Sequence, residues 1–123
     1  MSDVLTYDEM KVGDKTTFGK TIGECDVYAF AGVTGDFNPM HVNEVEASKT
    51  MFKGSIAHGM LSAGIISTTM TKAAHGGTPL YCSQELKFKA PVHIGDTITC
   101  TAELIEQIPE KHRLIYRTVV TNQ

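Results

Sequence analysis

Two of the chain's five histidines keep company that could do chemistry. His41 follows Asp36 across the segment Asp36-Phe37-Asn38-Pro39. Proline fixes its own φ and pushes the preceding residue out of the helical region. A rigid turn of this kind can hold a carboxylate and an imidazole facing one small volume. Proton transfer on water needs such a pair, one group to orient and deprotonate it and one to relay the proton. An Asp capping the turn beside a surface His has the same spacing, and that plainer reading stays open. The second histidine, His58, stands with Gly59 at the opening of a long apolar run. At a helix start the first N–H groups lack partners and the dipole favours negative charge. Glycine there lets a ligand approach the backbone, so the pair could form an oxyanion hole for an enolate or thioester oxygen. A helix start with Gly chosen for packing fits equally.

Other candidates carry less. His75, His93 and His112 fall in turn or strand-end contexts and read as ordinary residues. Ser62 and Ser67 lie on the apolar run, where buried hydroxyls usually bond the carbonyl one turn back; either could instead meet a ligand. A serine nucleophile elbow, an H-E-x-x-H metal motif, a G-x-G-x-x-G turn and a P-loop are all absent from the sequence.

The elements that must position these residues can be read from the pattern. Asp14 to Ile22 suits a first strand. Glu24 to Val33 suits a short amphipathic helix ended by Gly35. Asn43 can cap a second short helix, with Glu44 and Glu46 in its first turn. Ile56 to about Ala74 is the one long helix candidate, with Gly76-Gly77-Thr78-Pro79 as its stop. Being apolar nearly all round, it is expected to be buried. The period then changes to two. Leu86 and Phe88, then Ile98 to Leu104, then Leu114 to Val120 alternate with polar neighbours, and Gly95-Asp96 and Pro109-Glu110-Lys111 form the turns. The expectation is an α+β fold with an antiparallel sheet wrapped around one long central helix.

Composition bounds the rest. At 123 residues, 41% of them hydrophobic, the chain is one domain's worth and can bury a core. A net charge of -3 argues against nucleic acid or a polybasic membrane anchor as partner. The N-terminus, Met1 to Glu9, lacks the basic and apolar stretches of a secretory signal, and no run is long and apolar enough to span a bilayer. Cys25, Cys82 and Cys100 are odd in number and widely spaced. They read as buried or half-buried thiols in a reducing cytoplasm.

Gly35-Asp36-Phe37-Asn38-Pro39-Met40-His41, followed by Ala47, Phe52 and Ile56-Ala57-His58-Gly59-Met60-Leu61, resembles the hydratase-2 motif of MaoC-like proteins. These are (R)-specific enoyl-CoA hydratases with a hot-dog fold. The resemblance extends to the Asp26–Ala31 helix, to Phe88-Lys89-Ala90-Pro91-Val92 and to Gly95-Asp96, so residues 1–123 are read as a single domain of this type. It implies reversible addition of water to a trans-2-enoyl-CoA, giving a (3R)-3-hydroxyacyl-CoA. Asp36 and His41 would be the catalytic pair, and the Gly59 N–H would bind the thioester oxygen. Ser67 would stand beside the active site, and His58 would belong to the oxyanion and substrate-binding group. No cofactor and no metal are implied. A homodimer is, with the acyl chain in a tunnel near the helix. Family members usually run on for one more strand after Thr121-Asn122-Gln123.

Two rival functions are weighed against this one. A hot-dog thioesterase or acyl-carrier-protein dehydratase commonly uses an acid on or near the central helix, but no Asp or Glu occurs from Ala47 to Gln84. A non-catalytic acyl-CoA-binding module has no need of a carboxylate–imidazole pair.

Overall fold

The computed structural model describes residues 6–75 and 77–123. The reading of Met1 to Leu5, and Gly76 in the helix stop, lie outside them. A 3-10 turn at Tyr7–Glu9 leads into β1 (Lys15–Thr21), α1 (Glu24–Thr34), α2 (Pro39–Val42), α3 (Glu44–Ser48) and α4 (Gly59–Ala73). β2 (Thr97–Ile108), a 3-10 turn at Pro109–Lys111 and β3 (Arg113–Asn122) complete the order.

The three strands form one sheet in the order β1-β2-β3. Pairing is antiparallel. Leu104 bonds back to Gly13 and Asp14 at one end of the β1–β2 ladder, and Ile22 exchanges bonds with Gly95 and Asp96 at the other. β2 runs between two neighbours and shows the expected alternation: Ile98, Cys100, Ala102 and Leu104 are fully buried. One face of such a strand meets the core while the other carries threonines, which fixes the register, because a one-residue slip would exchange the faces.

Three expectations are corrected. Residues 78–89 make no backbone-to-backbone hydrogen bond among the described residues, so the alternation through Leu86 and Phe88 does not form a strand. A strand requires a ladder partner, and periodicity alone does not supply one. Next, α4 begins at Gly59 rather than Ile56, and it is not buried all round. Ile65, Ile66, Thr69 and Ala73 form its buried face, while Met60 is 56% exposed and Gly64 and Ser67 also face outward. Lastly, Cys25 and Cys82 are exposed; only Cys100 is buried, and burial raises its thiol pKa above the usual range.

The chain divides into two compact units. One contains the described residues through Phe18, together with Ile65–Glu85 and Thr99–Thr121. Its core joins the buried face of α4 to Cys100, Ala102 and Leu104, and Lys72 Nζ donates to the Thr17 carbonyl at 2.7 Å. The other contains Gly19–Gly64, Leu86–Ile98 and Asn122–Gln123, with Ile22, Val27, Ala31, Ala47, Ile56, Ala57 and Ile98 buried. Asp36, His41, His58 and Gly59 all fall in this second unit.

Two carboxylates tie the second unit together. Glu44 accepts the Ser55 N–H at 2.9 Å, and Asp96 accepts the Asn122 amide at 2.6 Å and the His93 N–H at 2.9 Å. Hydrogen bonds from Ser55 hold the Glu44 pKa below its ordinary value, and those from Asn122 and His93 do the same for Asp96. A depressed folded-state pKa means that the folded form binds fewer protons than the unfolded one. The stability this contributes is therefore present at neutral pH and lost as pH falls through the folded-state values. Thermal unfolding should accordingly fall in midpoint between about pH 7 and about pH 3. Glu44→Gln should flatten that acid limb; an unchanged pH dependence would remove Glu44 as a contributor.

Candidate functional site

The site is built on the exit from α1. Gly35 takes the left-handed conformation, φ 83°, and its N–H bonds the Ala31 carbonyl at 2.8 Å. A side chain would be strained there. The chain then leaves the helix axis through a series of short-range bonds. The Asp36 N–H donates to Thr34 Oγ1, the Asn38 N–H donates to Asp36 Oδ1, and the Met40 N–H donates to Asn38 Oδ1. Asn38 is the N-cap of α2 and Pro39 its first residue, a position where a missing N–H costs nothing. This turn carries His41 inward, to 6% exposure, while leaving Asp36 at the surface.

His41 Nδ1 lies 2.6 Å from the Ile56 carbonyl. A carbonyl only accepts, so Nδ1 carries the proton and Nε2 of the neutral ring is a bare acceptor. His58, 3% exposed, places Nε2 2.9 Å from the Asp36 carbonyl. The His41 and His58 rings stack, with centroids 3.8 Å apart and planes 24° apart. Phe30 tilts against His58 at 4.8 Å. One donor atom from each of Asp36, His41 and His58 lies within 4.8 Å of the others. These are metal-ligand residue types.

Gly59 begins α4. The first intrahelical bonds run from Leu61 and Ser62 to the His58 carbonyl, so the N–H groups of Gly59 and Met60 precede them. A Cβ at residue 59 would come within 2.9 Å of the Phe88 ring. Glycine therefore serves a close approach here as well as leaving its N–H accessible. The turn, with His41 behind it, and the start of α4 thus put a carboxylate, an imidazole acceptor and free backbone donors in one unit. Such a set can hold water, take its proton and stabilise a developing oxyanion.

A MaoC like domain model matches residues 8–122. The chain belongs to the MaoC-like family. This MaoC-like chain is 48% identical over 115 residues to the (R)-specific enoyl-CoA hydratase of Rhodospirillum rubrum, covering 94% of this chain and 80% of that one. It is 42% identical to the 3-hydroxybutyryl-CoA dehydratase of Methylorubrum extorquens, over 89% of this chain and 70% of the relative. Among solved structures, the unliganded R-hydratase PhaJ1 from Pseudomonas aeruginosa superposes with a TM-score of 0.91 at 38% identity. That match covers 98% of this chain and 77% of the other. The MaoC-like chain has the hot-dog fold, an antiparallel sheet with a long central helix.

Of the residues singled out by sequence, Asp36, His41, His58 and Gly59 come together. Ser67 lies exposed on α4 in the other compact unit, where its carbonyl accepts from Thr71 Oγ1. Sequence reasoning missed the Ile56 carbonyl, Phe30 and Phe88. A backbone carbonyl has no sequence signature, and both aromatics read as ordinary apolar positions. A cavity of about 290 Å³ in the first unit is lined by Met10, Asp14, Lys15, Thr16, Ala73, His75 and Tyr116. None of the candidate catalytic groups lines it.

Proposed function

We propose that the protein is an (R)-specific enoyl-CoA hydratase, a hydro-lyase that reversibly adds water to a trans-2-enoyl-CoA to give a (3R)-3-hydroxyacyl-CoA. The observation that carries this reading is the cluster of Asp36, His41 and His58, one side-chain ligand atom of each within 4.8 Å of the others, with the exposed Asp36 carboxylate and the Gly59 start of α4 in the same unit. The names of the hydratase and dehydratase relatives support it.

In this reading Asp36 and His41 hold one water. Its oxygen forms the new bond to C3 as one of the pair takes its proton, and the C2–C3 π electrons move toward the thioester. The resulting enolate oxygen is stabilised by the Gly59 N–H at the positive end of α4. Delivery of a proton to C2 completes the addition. The thioester itself supplies the electronic activation, so the step draws on no cofactor. Ser67 is taken as a substrate contact beside the acyl group, with the acyl chain running near α4.

We take the chain to act as one domain and to work as a homodimer. Residues 78–89, which make no backbone-to-backbone hydrogen bond among the described residues and leave Leu80 89% exposed, suit coverage by a second copy. The proposed compartment is the cytoplasm, where the free thiols of Cys25, Cys82 and Cys100 would stay reduced. No described helix is long and apolar enough to cross a membrane.

Purified protein mixed with crotonyl-CoA should lower the absorbance of the conjugated double bond to an equilibrium level, release no free thiol and yield the (R)-hydroxy product. Release of free CoA would instead make the protein a thioesterase. Absence of turnover on crotonyl-CoA and on longer enoyl-CoAs would leave a binding module.

A further inference from the structure

The catalytic reading uses Asp36, His41 and Gly59 and leaves His58 with no chemical task, although His58 is the most buried of the four. Its Nε2 faces the Asp36 carbonyl at 2.9 Å, so that nitrogen carries the ring's proton. Its Nδ1 is then the bare one, and it is buried without a hydrogen-bond partner among the described residues. Burying an unpaired acceptor costs about 1–3 kcal/mol. A Phe or Leu would fill the same space without that cost. A histidine kept in such a place is therefore explained by what its other nitrogen and its ring face do.

Both of those act on the proposed catalytic pair. The Nε2–H fixes the backbone of Asp36, the residue that carries the carboxylate. The ring face backs the His41 imidazole at 3.8 Å, and Phe30 packs against His58 in turn. Among the described residues, Asp36 is otherwise held by short-range bonds within its own turn, to Thr34 and Asn38. The bond from His58 is a long-range tether at Asp36 itself, spanning 22 positions of sequence to the start of α4, while the Ile56 N–H ties the same segment at the Met40 carbonyl. His41 is tethered separately, through Ile56. Hence His58 touches both halves of the acid–base pair, and it immediately precedes the Gly59 N–H.

We propose that His58 is a positioning residue: through its bond to the Asp36 carbonyl and its stack on His41, one buried side chain sets the spacing of carboxylate, imidazole and oxyanion donor. It contacts neither water nor substrate. This assignment rests on the hydratase reading and replaces the expectation that His58 binds the substrate. The complementary protonation follows from two carbonyls: His41 on Nδ1 through Ile56, His58 on Nε2 through Asp36.

Two variants separate the bond from the packing. His58→Phe keeps a ring against His41 and loses the donor. His58→Gln loses the ring and keeps an N–H that reaches the Nε2 position. A displacement of a catalytic group by about 1 Å can cost about 10²-fold in rate. Crotonyl-CoA hydration by His58→Phe should therefore fall about 10- to 100-fold in kcat, with KM moved less than about threefold. His58→Gln should recover to within about 10-fold of the parent. A parent kcat in His58→Phe, or a folded His58→Gln no better than it, would overturn the proposal. So would a rise in KM with kcat unchanged, which is the mark of a substrate contact. Should neither variant fold, nitrogen-15 NMR of the unaltered chain decides: a protonated Nε2 on His58 supports the tether, and a bare one overturns it. An unaltered chain inactive on every enoyl-CoA would instead sink the hydratase reading, leaving that NMR result to judge the tether.

Discussion

Asp36→Asn should lower kcat for crotonyl-CoA hydration by about 10²-fold or more, the usual worth of a positioned acid or base. That factor corresponds to about 2.7 kcal/mol of barrier. The substitution isolates charge from shape. The Asn side chain still presents an oxygen to the Asn38 N–H, which Asp36 Oδ1 accepts at 3.2 Å. The bond from His58 goes to the backbone carbonyl, which the substitution does not touch. Asp36 is exposed, so no buried group is left unpaired. The thermal midpoint should therefore stay near that of the parent while turnover collapses. A kcat within a few-fold of the parent would remove the Asp36 carboxylate from proton transfer. Equal losses in kcat and stability would instead point to a role in holding the turn.

The separation of chemistry from scaffold at Asp36 reflects how this region is encoded. Its local devices were legible in the residues because they act over a few positions. Gly35 ends α1 in the left-handed conformation, and Asn43 accepts from the Glu46 N–H to start α3; the turn at Asn38 and Pro39 was legible too, but not the short helix α2 that it starts. The alternation of β2 was legible for the same reason: burial of every second residue is a property of one strand. The motif that joins Asp36 to His41 lies within this local range, as does the His58-Gly59 step.

What the residues did not reveal is long-range. Ile56 and Ala57 continue the apolar run of α4 and read as helix. In the fold Ile56 bridges to His93, and the Ala57 N–H bonds the Val92 carbonyl, so both are held in extended pairing that local periodicity cannot register. That pairing matters to the site because it aims the Ile56 carbonyl at His41. His58 is placed by a similar long-range contact. Its position before Gly59 gives no local signal that the ring turns toward a carbonyl 22 residues back. Leu86 to Lys89 shows the converse. The period of two is real, but a strand exists only where another backbone meets it.

His41→Ala should lose as much turnover as Asp36→Asn, about 10²-fold or more, but for a mixture of reasons that a second substitution can separate. His41 is buried, its Nδ1–H satisfies the Ile56 carbonyl, and its ring supports His58. Alanine removes the proposed catalytic imidazole, leaves the Ile56 carbonyl unpaired and opens space under His58. The unpaired buried carbonyl alone should cost about 1–3 kcal/mol of stability, so the unfolding midpoint should drop together with the rate. His41→Asn places an amide N–H near the position of Nδ1 while deleting Nε2. It should keep most of the bond to Ile56 and therefore most of the stability, yet hydrate crotonyl-CoA no faster than His41→Ala. The decisive comparison is then kcat against unfolding midpoint for the two variants. Matching rates with unequal midpoints would assign the catalytic loss to the bare Nε2, the nitrogen that the Ile56 carbonyl leaves free. A His41→Asn chain that recovers the rate along with the midpoint would make His41 a structural support, and proton transfer would have to be sought elsewhere in the unit.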